Sequence, residues 1–105
     1  IRSRLMEFLV PGFGAVHAVT GFWQRWRGLR GSPDGSALAL PGGSVHGFGM
    51  DRDLVVVGLD GDLEVIGSKV LAPNRIVTIP GARWMIELPA GAIPPPAGTR
   101  LIVHG

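Results

Sequence analysis

The 105-residue chain contains no cysteine and no tyrosine, and a single lysine, Lys69. Absence of cysteine excludes a disulfide scaffold, a thiol nucleophile and thiolate zinc sites, and fits a reducing or an oxidising compartment equally. The nearly complete reliance on arginine for positive charge explains why a sequence pI of about 10.5 accompanies a formal net charge of only +2. Beyond the histidines almost nothing titrates until very high pH, so the pI overstates basicity. A net +2 by itself makes no case for nucleic acid or an acidic membrane as partner. Long apolar runs are also missing: the longest, such as Leu54 to Leu59, fall far below the roughly 18 residues of a spanning helix. The stretch around Arg2, Arg4 and Leu5 to Val10 is too short for a secretory signal and lacks its cleavage site. These absences imply a soluble, cytoplasmic domain with no membrane partner, with export through a segment upstream of Ile1 left open.

What is present is apolar residues, at 46% of the chain, punctuated by 17 glycines and nine prolines. That content can bury a core within one domain, residues 1–105, and the punctuation is that of a turn-rich β protein rather than of a disordered one. Leu5 to Val10, the Pro11-Gly12-Phe13-Gly14 break and Ala15 to Thr20 read as a hairpin. Short strands are then expected at Ala37 to Leu40, Ser44 to Met50, Leu54 to Leu59, Leu63 to Leu71, Arg75 to Ile79, Arg83 to Leu88 and Leu101 to Val103. Leu54 to Leu59 lacks polar alternation and should be central, covered on both faces. Asp60-Gly61 suits a two-residue hairpin turn into the next strand. Only Gly21 to Leu29 changes period: Phe22, Trp23, Trp26 and Leu29 share one side of a helical wheel, which predicts one short helix near residues 21–29. The fold expected is a compact, mainly β, antiparallel barrel-like sandwich of about seven to nine short strands plus that helix.

Three groups of residues could carry chemistry. In Ser44 to Met50 a period of two puts His46, Phe48 and Met50 on one face and Val45, Gly47 and Gly49 on the other. Alternating glycines inside a strand mark a bend, a bulge or the close approach of a backbone or ligand. His46 is then either a hydrogen-bonded structural residue at that bend or part of a binding site. Arg25 and Arg27 flank the Trp23 and Trp26 stripe; they fit core-covering arginine stems, an anion or ligand site, or, least well, a nucleic-acid surface. Glu87 faces away from Trp84, Ile86 and Leu88; if its own face is covered it requires an arginine partner, with Arg27, Arg75 and Arg83 as candidates. The pairs Asp51 with Asp53 and Asp60 with Asp62 sit where turns favour aspartate, more so than where calcium would bind.

No standard metal spacing links His17, His46 and His104, and no nucleophile elbow, phosphate loop or dinucleotide fingerprint occurs. No metal and no cofactor is expected.

Taken in order, Val19 to Gly31 with its Arg25-Trp26-Arg27-Gly28-Leu29 core, Ser44 to Met50, Leu54 to Asp60, Pro73, Arg75 and Ile86 to Gly91 resemble the bacterial and archaeal family called domain of unknown function 192, or uncharacterised ACR. The resemblance covers nearly the whole chain and implies a compact, mostly β fold with one short helix. It supplies no activity. The family's recurrent positions fall on Arg25, Arg27, Gly28, Leu29, His46, Phe48, Met50, Pro73, Glu87, Leu88 and Gly91. A family aspartate is replaced here by Val55, which weighs against an enzyme. The leading expectation is a non-catalytic module binding a small ligand or a protein through Arg25, Arg27, His46, Phe48, Met50 and Glu87. The alternatives are a hydrolase-like enzyme pairing His46 with a carboxylate and a nucleic-acid-binding β module. Nothing in the sequence selects an oligomeric state.

Overall fold

The computed structural model describes residues 6–18, 37–48 and 50–104. Its strands are β1 (Glu7–Val10), β2 (Gly14–Ala18), β3 (Leu38–Pro41), β4 (Ser44–His46), β5 (Leu54–Leu59), β6 (Val65–Leu71), β7 (Ile76–Thr78), β8 (Trp84–Pro89) and β9 (Ile102–His104). They form a curled seven-stranded sheet in the order β6-β5-β8-β3-β2-β1-β9 and a two-stranded sheet of β4 with β7. The fold is therefore mainly β and barrel-like, as the strand pattern predicts. The expected helix at 21–29, with Arg25 and Arg27, lies outside the described residues. No helix long and apolar enough to cross a membrane occurs among the described residues.

The strand pairs are antiparallel except β2 with β3, which run parallel through His17↔Leu38 and Ala18↔Ala39. Parallel neighbours need a connection of a dozen residues or more, and the interval between these two strands is long enough to supply it. The sheet thus departs from a purely antiparallel one at the β2 and β3 junction.

Curling brings the two edges of the large sheet together at one end. Val65 N–H donates to Thr99 O at 2.7 Å, Gly98 N–H to Val65 O at 2.8 Å and Leu101 N–H to Leu63 O at 2.9 Å, so the lead-in to β9 is stitched to the start of β6. Backbone groups that an open sheet would leave unpaired are satisfied here, and a concave interior is enclosed. Phe8, Val10, Val16, Val57, Leu59, Val65, Ile86, Leu88 and Leu101 fill it, and Trp84 packs on Phe8 with ring centroids 4.9 Å apart.

A second cluster lies between the other face of the large sheet and the small one: Leu40, Val56, Leu71 and Met85 below, Val45, Val77 and Ile79 above. β5 serves both clusters, Val57 and Leu59 on one face and Val56 on the other, which is why its sequence shows no polar alternation. At Gly58 a Cβ would fall 2.9 Å from Ile79 Cγ2, so the missing side chain is what lets Ile79 seat on the strand.

The turn after β5 is longer by one residue than the predicted pair. Leu63 N–H donates to Asp60 O at 3.0 Å and Asp60 N–H to Glu64 O at 3.0 Å, leaving Gly61, Asp62 and Leu63 as a three-residue loop. Its last position is left-handed, with Leu63 at φ 66° in a place usually given to glycine. Leucine tolerates it because its side chain packs on the barrel cluster. Asp60 Oδ1 holds the loop by accepting from Asp62 N–H at 2.8 Å and Glu64 N–H at 3.0 Å, the turn role expected of this aspartate. Asp60→Ala removes both acceptor contacts and is expected to lower stability by about 1–2 kcal/mol with an unchanged m-value in urea unfolding; an effect below a few tenths would show that the loop holds without the carboxylate.

Candidate functional site

Ser44 to Met50 does not continue as one strand. β4 ends at His46, and Met50 N–H donates back to Gly47 O at 3.1 Å, closing a turn. The expected strand face of His46, Phe48 and Met50 is therefore corrected to a corner. The cause is Gly47, whose backbone meets the 72–75 turn: Gly47 N–H donates to Arg75 O at 2.9 Å and Asn74 N–H to Gly47 O at 2.9 Å. A Cβ on Gly47 would lie 2.8 Å from the Ala72 carbonyl oxygen. That close approach of a second backbone is what a glycine inside a strand pattern signals.

The corner presents an aromatic pair. The rings of His46 and Phe48 stack with centroids 4.8 Å apart and planes at 29°, and Phe48 N–H points to His46 Nδ1 at 3.4 Å. With Nδ1 facing a donor, the neutral ring carries its proton on Nε2. Val45 and Val77 point into the core, so alternation turns Ser44, His46, Ile76 and Thr78 to the outer face of the small sheet. There the Ser44 and Thr78 hydroxyls lie 2.8 Å apart in a hydrogen bond, and Lys69 Nζ donates to Thr78 O at 2.9 Å. Phe48 is 50% exposed and Ile76 63% exposed, while His46 and Met50 are half-buried. The result is an apolar and aromatic shelf, fixed from behind by backbone hydrogen bonds.

Glu87 stands elsewhere. On β8 it lies directly between Leu38 of β3 and Val56 of β5, on the strand face that Met85 shares. That face is covered: Glu87 is 4% exposed, and its Oε2 has no hydrogen-bond partner among the described residues. Loss of hydration raises the carboxyl from 4.5 to about 7. The arginine partner anticipated from the sequence is not Arg75 or Arg83; both are exposed and neither pairs with Glu87, while Arg27 lies outside the described residues.

The small sheet separates the two candidate features, His46 facing outward from it and Glu87 belonging to the large sheet beneath. Among the described residues no carboxylate forms an ion pair or hydrogen bond with His46. Position 55, where the resembled family carries aspartate, is on the opposite face of β5 from Val56 and so turns away from Glu87; Val55 packs against the barrel cluster instead. Among the described side chains no group of three histidines or carboxylates converges.

Sequence reasoning did not anticipate one juxtaposition. Glu7 of β1 faces His17 of β2 across one ladder, with His17 Nδ1 3.4 Å from Glu7 Oε2, and faces His104 of β9 across the other. Only strand register brings these residues together, and the signal available in the sequence was no more than the hairpin that pairs positions 7 and 17.

No family model matches the chain, and no curated protein does. Among solved structures it is similar to a protein of unknown function from Novosphingobium aromaticivorans DSM 12444, with a TM-score of 0.58, 12% identity, and coverage of 83% of this chain and 73% of that one. At that identity the likeness establishes the fold alone.

Two outcomes follow from this geometry. The folded state holds the Glu87 proton to about pH 7 and the unfolded state releases it near 4.5, so between these values the folded state binds more protons and stability falls as pH rises. The Tm of the chain is expected to decline across that window while Glu87→Gln removes this component; parallel Tm profiles for the two proteins would sink the assignment. Gly47→Ala is expected to cost about 1–3 kcal/mol through the forced contact with Ala72, read from denaturant midpoints.

Proposed function

We propose that this domain is a non-catalytic binding module whose ligand site is the corner formed by His46, Phe48 and Met50. The observation that supports it most is the stacked, half-exposed His46 and Phe48 pair held by interlocked backbone turns. A rigid aromatic shelf loses little conformational entropy when a planar or apolar group is laid on it, and the Nε2 proton of His46 provides one directional donor. A small ligand with a flat face and an anionic substituent suits it best, the anion being received by Arg25 and Arg27, which the sequence places among the family-recurrent positions. Membership of the domain of unknown function 192 family belongs to the same proposal, supported by the order of the recurrent segments and by the mainly β fold.

The hydrolase-like alternative has less behind it. General acid–base work by His46 would use a carboxylate within hydrogen-bond reach to orient the ring, and Glu87 lies in the other layer. Nucleic-acid binding is supported by nothing beyond the Arg25 to Arg30 run and a net charge of +2.

The test is two-dimensional NMR of the three imidazoles with a panel of carboxylated and phosphorylated aromatic metabolites. Binding is expected to shift His46 selectively, and Phe48→Ala to weaken that binding about tenfold or more, the loss of a stacking partner worth about 1–3 kcal/mol. An unresponsive His46 across the panel, or unchanged affinity in Phe48→Ala, would exclude this corner as the site.

A further inference from the structure

The connection between β8 and β9 is independent of the corner just described and carries the most exposed large apolar side chain among the described residues, Ile93, at 85%. Three prolines follow it, Pro94, Pro95 and Pro96. Proline fixes its own φ near about −65°, and its ring bars the residue before it from the helical region. Ile93, Pro94 and Pro95 each precede a proline, so each is held extended by its successor. Their peptide bonds are trans. A trans backbone locked in this way is a polyproline II helix, with about three residues per turn and a rise of about 3.1 Å per residue.

Exposure along the segment follows that period. Ile93 and Pro96, one turn apart, both stand in solvent, while Pro94 is half-buried and Pro95 is buried. The rod therefore rests on Pro95 and raises a ridge of Ile93 and Pro96, about 9 Å apart along its axis. Both ends are fixed. Ala92 N–H donates to Pro89 O at 3.0 Å across a turn whose third residue, Gly91, has φ 84°, and Thr99 N–H donates to Pro96 O at 3.1 Å across another whose third residue, Gly98, has φ 93°. A left-handed glycine at that place belongs to a type II turn. Gly98 N–H, bonded to Val65 O at 2.8 Å, ties the second turn to the sheet. Between the two turns no backbone hydrogen bond among the described residues engages the carbonyls of Ile93, Pro94 or Pro95.

We propose that Ile93 to Pro96 is a docking ligand for a protein domain that reads polyproline II segments in an aromatic-lined groove. Such a groove receives apolar side chains from one edge of the rod between its rings and donates hydrogen bonds to free carbonyls; this segment offers both. Its shape is set before contact, so little conformational entropy is lost on binding. No charged residue occurs from Leu88 to Thr99, which leaves recognition to apolar contact and carbonyls and makes it nearly independent of salt. The same lack of cations disfavours nucleic acid or an anionic membrane as the occupant.

NMR titration of the full, isotopically labelled chain with a panel of recombinant SH3, WW and EVH1 domains tests this. At least one domain is expected to bind, moving the amides of Ile93, Ala97 and Gly98 and leaving the His46 imidazole unmoved, with an affinity that hardly changes with salt. Ile93→Ser should weaken that binding about tenfold or more, the loss expected when a buried isoleucine contact is removed. Pro96→Ala, which frees φ at the other end of the ridge, should weaken it as well. Both side chains stand in solvent, so the Tm of each variant should match that of the parent chain. Binding that survives Ile93→Ser, shifts centred on another part of the chain, or no binding by any domain at about 1 mM would each overturn the proposal. None of these results bears on the His46 corner, whose ligands are small molecules and whose reporter is a different resonance.

Discussion

The architecture depends on the hydrogen bonds that join residues 63–65 to 98–101. Without them β6 and β9 would be the free edges of an open sheet, and Phe8, Val16, Leu59 and Ile86 would line an exposed concavity instead of a core. Each such bond contributes only about 0.5–1.5 kcal/mol net. Their larger effect is topological, because they hold the curl that lets apolar residues of distant strands meet and leave water. The Asp60 loop and the proline-rich connection between β8 and β9 both deliver the chain to this seam, which accounts for turn chemistry on either side of it.

Layering governs what the candidate residues can do. The small β4 and β7 sheet packs on Met85 and Val56 of the large sheet and turns His46 outward, while Glu87, on the Met85 side of β8, is buried in the large sheet. His46 stacks on the exposed Phe48, whereas Glu87 is buried beside its strand neighbours Leu38 and Val56, its Oε2 without a hydrogen-bond partner among the described residues. The buried carboxyl and the stacked imidazole thus belong to different sheets of the fold.

Much of this is legible in the sequence. Unbroken apolarity in Leu54 to Leu59 requires cover on both faces, and β5 has it; Pro11 to Gly14 demands a reversal, and β1 and β2 flank one; Gly47 reports a close backbone approach, and Ala72 provides it. Local steric and periodic rules suffice for such features because each is decided within a few residues. The same rules overextended the strand beyond His46, since the turn there is imposed by hydrogen bonds from residues 74 and 75, far away in sequence.

The sequence by itself determined the class of fold, the positions of nearly all its strands, the absence of thiol chemistry and the identity of the unusual residues, because side-chain volume, backbone freedom and hydropathy act locally. Tertiary structure alone decided the parallel pairing of β2 with β3, the closure of the sheet, the burial of Glu87 and the alignment of Glu7 with His17 and His104. Those outcomes rest on register and layer order, which depend on the balance of burial and hydrogen bonding over the whole chain. A one-residue slip in β1 or β9 would send Glu7 or its partners to the opposite face without changing the hydropathy of any segment.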